Sequence, residues 1–112
     1  MAEENVPGEA FRRVQPRDAK EMIDRGDAAV VDVREDWEYA RDHIANAQHM
    51  PLGRIISKPK DSIQRDDLIF VCEVGQRSAV AAEMAAALGM QRVYNLEGGM
   101  TAWRREQLPV ER

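Results

Sequence analysis

Residues 68–78, LIFVCEVGQRS, predict the fold of this chain most clearly. The first four residues form an apolar run, which is typical of a strand buried on both faces of a sheet. Cys72 to Arg77 then form a short loop, and a helix is expected to begin at Ser78. A strand, a tight loop and a helix N-terminus in this order are typical of sites that hold an anion above a reactive thiolate.

The rest of the chain alternates strand-like and helix-like segments. Besides Leu68–Cys72, strands are expected at Phe11–Val14, Ala28–Val33, Ala47–Met50 and Arg92–Leu96. Helices are expected from Pro16 to Arg25, from Glu35 to Asp42, from Ser78 to Leu88, and through Met100 and Trp103 as far as Pro109; residues 53–66 are a connector with one or two helical turns. This alternation predicts an α/β fold, a mostly parallel sheet with helices on both faces. Residues 1–10 are interpreted as a flexible leader and residues 11–112 as a single domain.

Composition narrows the function classes. A net charge of −4 and a pI near 5.2 argue against nucleic acid and anionic membranes as partners, because both require a basic face. The first five residues lack the basic and apolar regions of a signal peptide. Cys72 is the single cysteine, so no internal disulfide can form and a reducing, cytoplasmic location is expected. Cys72, His43 and His49 lack the spacing of a zinc site, and nothing demands a metal or a cofactor.

The loop after Cys72 offers several features that favour a thiolate. The amides of residues 73–77 can curl into a nest, Gly75 permits a positive φ, and Arg77 adds a permanent positive charge beside the helix N-terminus. Glu73 would oppose a thiolate if it pointed inward, and we expect it to point to solvent. The alternative is that Cys72 is only a small buried apolar residue.

Other residues support this edge of the sheet. Asp32 and Arg34 end a second buried strand and are expected to form an ion-pair network bracing the loop, with Asp32 meeting Arg77; an ordinary polar strand end is the alternative. His43 is expected to pack or hydrogen-bond locally rather than act as a base. The helix from Ser78 is expected to place Val80, Met84 and Leu88 on one face.

Four ordered motifs resemble those of the rhodanese-like sulfurtransferase family. They are the loop C-x-x-G-x-R-S at 72–78, the strand signature at 30–35, the segment at 37–47 and the C-terminal signature at 94–103. Together they cover the chain from about residue 11 to residue 110. The chain departs from the family pattern at Asp42, Ala45 and Asn46, where the family usually has Gly, Pro and Gly; Asn46 can still adopt the left-handed conformation of that turn.

The resemblance implies a three-layer α/β/α domain with five parallel strands in the order 3-2-4-5-1. It implies transfer of sulfane sulfur, through a persulfide on Cys72, from thiosulfate or another persulfide donor to cyanide or a thiol. The residues of the persulfide-binding loop would be Glu73, Val74, Gly75, Gln76, Arg77 and Ser78, and Asp32 and Arg34 would be supporting residues.

Alternatives remain open. The chain could be a sulfur-carrier or interaction module that turns over thiosulfate weakly and exchanges sulfur with a partner protein, a hypothesis motivated by Glu73 and by the small size. Phosphatases that share the fold use a longer loop, C-x5-R, whereas only four residues separate Cys72 from Arg77 here. An arsenate reductase would need a resolving thiol, which a chain with one cysteine lacks.

Overall fold

The computed structural model describes residues 3–112, so Met1 and Ala2 of the predicted leader lie outside the described residues. Within that range six strands form one sheet. They are β1 (Glu3–Glu4), β2 (Arg12–Val14), β3 (Ala29–Asp32), β4 (Gln48–His49), β5 (Leu68–Val71) and β6 (Val93–Leu96).

The sheet has the order β1-β2-β6-β5-β3-β4. Strands β2 to β6 are all parallel, and from β4 to β2 they stand in the predicted order 3-2-4-5-1. The difference from the prediction is β1, which pairs antiparallel with β2 through Glu3 opposite Val14. It lies in the segment that the sequence assigned to a leader.

Helices connect the parallel strands. They are α1 (Pro16–Asp24), α2 (Asp36–Arg41), α3 (Leu52–Ser57), α4 (Pro59–Ser62), α5 (Gln76–Ala87) and α6 (Gly99–Arg105). Pro16 suits the first position of α1, where its missing N–H costs no helix hydrogen bond. Helix α5 begins two residues before the predicted start, because Gly75 reverses the loop with a φ of 101°. None of the helices in residues 3–112 is long and apolar enough to cross a membrane.

Apolar cores lie on both faces of the sheet. One contains Phe70 and the buried face of α5, and the other contains Val71 and Trp103. The expected apolar face of α5 is only partly right: Met84 and Leu88 pack against the core, whereas Val80 is 42% exposed. The fully buried residues of the helix are Ser78, Ala81, Ala82 and Ala85. Small side chains let α5 lie close against the sheet, which a row of larger residues would prevent.

The central strands end together at one edge. Asp32 pairs with Val71 across β3 and β5, and Phe70 pairs with Asn95 across β5 and β6. The turns that follow β3, β5 and β6 therefore meet beyond the carboxyl edge of the sheet, where ligands bind in open parallel sheets. Cys72 lies in the middle of that edge.

Candidate active site

The Cys72 sulfur is held by groups from its own loop and from α5. The Gly75 amide donates to Sγ at 3.1 Å, and the Ser78 hydroxyl lies 3.2 Å from the same atom. The backbone reversal at Gly75 aims this amide at the sulfur. Cys72 is 1% exposed. The loop thus directs polar hydrogens at a sheltered sulfur at the N-terminal end of a twelve-residue helix.

Asn95 organises this cradle, although the sequence did not single it out. Its Nδ2 donates to the Gly75 carbonyl at 3.0 Å, which turns Oδ1 toward the Ser78 hydroxyl at 2.5 Å. The single hydroxyl proton of Ser78 is therefore shared between Asn95 and the Cys72 sulfur. The available signal was an asparagine inside the otherwise apolar strand Val93–Leu96.

Arg77 is bound by Glu38 of α2. Its two terminal nitrogens donate to the two carboxylate oxygens at 2.7 and 2.8 Å. The hydrogen bonds from Arg77 lower the pKa of Glu38 to about 2. Glu38 also accepts the backbone N–H of Glu35 at 2.9 Å in a capping box, so one carboxylate joins the start of α2 to the loop.

The expected contact between Asp32 and Arg77 is wrong because Arg34 takes both Asp32 oxygens. The Arg34 side chain donates to Asp32 at 2.9 to 3.2 Å, and the Arg34 backbone N–H adds a bond of 3.0 Å. Both residues are fully buried. The predicted ion pair is therefore present, and its contact with the loop is the hydrogen bond from Arg34 to Glu73 rather than one to Arg77.

The expectation that Glu73 points to solvent is wrong. Its side chain is 25% exposed and accepts hydrogen bonds from Arg104 at 2.6 Å, Thr101 at 3.1 Å and Arg34 at 3.2 Å. The bond from Arg104, followed by that from Thr101, holds the pKa of Glu73 below its usual value. The carboxylate is drawn inward because α6 and the turn after β3 place their donors beside the loop.

Asp42, one of the departures from the family pattern, belongs to the same cluster. It accepts two hydrogen bonds of 2.7 Å from Arg104, which lower its pKa. Asn46 adopts a φ of 66°, so the predicted left-handed turn survives without glycine. The sequence prediction missed Arg104, because its partners Asp42 and Glu73 lie 62 and 31 residues away along the chain.

The Gly98-Gly99 turn fixes the first turn of α6 against the loop backbone. Met100 N donates to the Cys72 carbonyl at 2.9 Å, and Thr101 N donates to the Glu73 carbonyl at 3.0 Å. Gly99 has a φ of 59°, and a Cβ there would lie 2.6 Å from the Glu73 carbonyl. The turn therefore shapes the loop.

The remaining predicted residues take simpler places. Val74 is 55% exposed at the loop tip, and Gln76 begins α5. His43 and His49 stack on Tyr39, and their ring nitrogens hydrogen-bond to the carbonyls of Tyr39 and Arg34, both at 2.8 Å. These contacts are the local packing expected for His43.

The fold is an α/β domain with a parallel sheet, and its single cysteine lies in a short loop at the carboxyl edge of that sheet. The model of the rhodanese-like domain matches residues 15–106, and the chain belongs to that family. The chain is 31% identical to "Thiosulfate sulfurtransferase GlpE" of Actinobacillus pleuropneumoniae serotype 3 over 92% of this chain and 95% of that protein. It is 34% identical to GlpE of Pseudomonas fluorescens over 84% of this chain and 85% of that protein.

Other relatives carry different descriptions. The "Putative sulfur carrier protein YrkF" of Bacillus subtilis is 32% identical over 75% of this chain, which spans 46% of that protein. A rhodanese-related protein from Thermoplasma volcanium has a TM-score of 0.80 at 33% identity, covering 90% of this chain and 98% of that one. A Rhodopseudomonas palustris protein described as a "Possible Tyrosine Phosphatase" has a TM-score of 0.73 at 29% identity. The match covers 87% of this chain and 82% of that one.

Proposed function

We propose that this protein transfers sulfane sulfur through a persulfide on Cys72. The observation that supports this most strongly is the Cys72 sulfur at the N-terminus of α5, with the Gly75 amide 3.1 Å away and the Ser78 hydroxyl 3.2 Å away. These groups stabilise a thiolate, the form of cysteine that acts as a nucleophile. The GlpE relatives, which align over most of the chain, add support for sulfur transfer.

The reaction has two displacement steps. In the first, the Cys72 thiolate attacks the outer sulfur of thiosulfate, the S–S bond of the donor breaks, and sulfite leaves with its electron pair. In the second, cyanide or a thiolate attacks the terminal sulfur of the persulfide and Cys72 leaves as a thiolate. A persulfide donor would release its parent thiolate in place of sulfite. The first product leaves before the acceptor reacts with the persulfide, so ping-pong kinetics are expected.

The surrounding residues position the sulfur and stabilise its charge. Gly75 N–H and the α5 N-terminus favour the anionic sulfur in both the thiolate and the persulfide. The Glu38–Arg77 pair fixes the loop against α2, which keeps these donors in place. Asp32 holds Arg34, and Arg34 in turn donates a hydrogen bond to Glu73 of the loop.

A sulfur carrier is the second candidate. It is favoured by the resemblance to YrkF and by the carboxylate of Glu73 next to the nucleophile. Such a protein would accept sulfur from a partner protein and pass it on, with weak turnover of free thiosulfate. The chemistry at Cys72 would be the same, and only the donor and acceptor would differ.

Phosphate ester hydrolysis fits the site less well. Four residues separate Cys72 from Arg77, which gives a smaller cradle than the C-x5-R loop. Both terminal nitrogens of Arg77 are bound to Glu38, so the guanidinium is not directed at an oxyanion. An arsenate reductase would need a resolving thiol from outside this chain. A rate with p-nitrophenyl phosphate equal to the rate with thiosulfate would favour the phosphatase.

Steady-state kinetics with thiosulfate and cyanide test the proposal. Cys72→Ser should abolish thiocyanate formation while the thermal unfolding midpoint stays near that of the parent. Glu83→Gln, on the exposed side of α5, is a control that should keep the parent rate. Turnover by Cys72→Ser at the parent rate would refute the mechanism.

The single cysteine must stay reduced, and we propose cytoplasmic action on this basis.

A further inference from the structure

Three arginines converge on the carboxylate of Glu73. Arg104 Nη1 lies 2.6 Å from Oε2, Arg34 Nη1 lies 3.2 Å from Oε1, and Arg41 Nη2 lies 3.6 Å from Oε1. The Thr101 hydroxyl donates to Oε2 at 3.1 Å. These donors come from the turn after β3, from the end of α2 and from α6. Their arrangement is that of an anion site, and the anion in it is a side chain of the protein.

Two of the three arginines also pair with other carboxylates. Asp32 occupies one side of Arg34, and Asp42 binds Arg104 through two hydrogen bonds of 2.7 Å. Arg41 is 55% exposed and lies over the ring of Trp37. Removing the charge of Glu73 would therefore leave one positive charge in excess, on nitrogens that point to the vacated place.

The site adjoins the nucleophile. Glu73 follows Cys72 directly, and the first turn of α6 binds the carbonyls of both residues. The Glu73 side chain is 25% exposed, so the site is partly open to solvent. Arginine forks bind carboxylates and the oxyanions of sulfur by the same paired hydrogen bonds. An anionic donor approaching Cys72 therefore meets a negative group where arginines would otherwise receive it.

We propose that Glu73 occupies an anion site formed by Arg34, Arg41, Arg104 and Thr101, and that it thereby selects sulfur donors of low negative charge over dianions. The anion site stands on the contacts alone, whereas the selection of donors rests on the proposed function. The reaction at Cys72 is unchanged, since Glu73 acts only on the charge that a donor can carry into the site.

Two sulfur donors of similar shape but different charge can show whether the effect of Glu73 depends on the charge of the donor. Thiosulfate is a dianion and methanethiosulfonate is a monoanion, and the latter would give its outer sulfur to Cys72 with methanesulfinate as the leaving group. Because a Coulomb energy scales with donor charge, the fold-change in KM for the dianion should be the square of that for the monoanion. Glu73→Gln should lower KM by about 5-fold for thiosulfate and about 2-fold for methanethiosulfonate.

Glu73→Gln removes the charge, keeps the size of the side chain and can keep the hydrogen bonds at one of the two oxygens, so it is the main variant, and Glu73→Ala is a second one. Glu21→Gln, on α1 with a side chain 68% exposed, makes the same change in net charge and should leave both KM values at the parent level. An unchanged ratio of the two KM values in both Glu73 variants would overturn the selection of donors, as would an equal change in Glu21→Gln.

Sulfate binding tests the anion site without sulfur transfer. At equal ionic strength, replacing chloride by sulfate stabilises most proteins, and the parent and Glu21→Gln give that baseline. Glu73→Ala, which removes the side chain that fills the site, should show an additional rise of about 3 °C in the unfolding midpoint, and Glu73→Gln, which keeps the site filled, should show a smaller one. A rise in Glu73→Ala no greater than the baseline would overturn the anion site. If the parent transfers sulfur from neither donor, the proposed function fails, and the sulfate experiment still decides the anion site.

Discussion

Arg77 and Glu38 are joined by two hydrogen bonds of 2.7 and 2.8 Å, although 39 residues separate them in the chain. This pair connects the Cys72 loop directly to α2, and Glu38 also caps that helix. A charged pair in this position both fixes the loop and orders the turn after β3. Its partners lie where the ends of β3 and β5 meet, so the sheet determines that they are close.

Glu38→Gln should lower the free energy of unfolding by about 1–3 kcal/mol, because the buried side of a charged pair loses its charge and one capping acceptor weakens. Urea unfolding measures this directly. The control is Glu83→Gln, which removes an exposed carboxylate from α5 and should change stability by less than about 0.5 kcal/mol. Equal stability of the two variants would contradict a structural role for the pair.

The pH dependence of stability should reveal the paired carboxylates. Glu38, Asp42 and Glu73 have pKa values below their ordinary ones in the folded protein, so the unfolded chain binds protons first as pH falls. Their contribution is fully present above about pH 5 and is lost as pH falls toward the folded pKa of Glu38, about 2. Urea unfolding between pH 7 and pH 3 measures this loss.

Glu38→Gln also serves as the control for that profile. It removes one titrating carboxylate, so the acid limb should become shallower by up to about 1.4 kcal/mol per pH unit. If the free energy of unfolding of the variant fell with pH as steeply as that of the parent, Glu38 would not contribute to the loss of stability in this range.

The sequence predicted the parts of this molecule that depend on local pattern. The apolar run Leu68–Val71 and Gly75 define the strand and the turn by themselves, because burial and a positive φ are properties of single segments. The strand order came from the resemblance to the family. The partners of Glu73 and Arg77 could not be predicted in the same way, because they depend on which strands lie side by side in the sheet and so on which turns meet at its edge.

Ser78→Ala should reduce sulfur transfer by about 10-fold, the effect of losing one hydrogen bond to the reacting sulfur. Alkylation of Cys72 by iodoacetamide should slow as well, which a purely structural change would not require. Ser62→Ala is the matched control, since the Ser62 hydroxyl is buried and lacks a hydrogen-bond partner among the described residues. Ser62→Ala should keep the parent rate, and equal rates for the two variants would contradict the role of Ser78.

Gly99→Ala should destabilise the protein by about 3 kcal/mol or more, because its Cβ would collide with the Glu73 carbonyl in a left-handed backbone. Gly53→Ala offers the contrast: Gly53 lies in α3 with open space around it, so alanine should be neutral or stabilising by up to about 1 kcal/mol. Thermal unfolding compares the two. Equal midpoints for Gly99→Ala and the parent would show that α6 can withdraw from the loop without loss.

The central claim is that Cys72 carries the transferred sulfur, and intact-protein mass spectrometry tests it most directly. After saturating thiosulfate and removal of the excess donor, the protein should gain about 32 Da, the mass of one sulfur atom, located on Cys72. Added cyanide should remove that mass and yield one thiocyanate per protein, while Cys72→Ser should gain nothing. A parent protein that gains no sulfur from thiosulfate, methanethiosulfonate or a cysteine persulfide, or a Cys72→Ser variant that gains it equally, would contradict the claim.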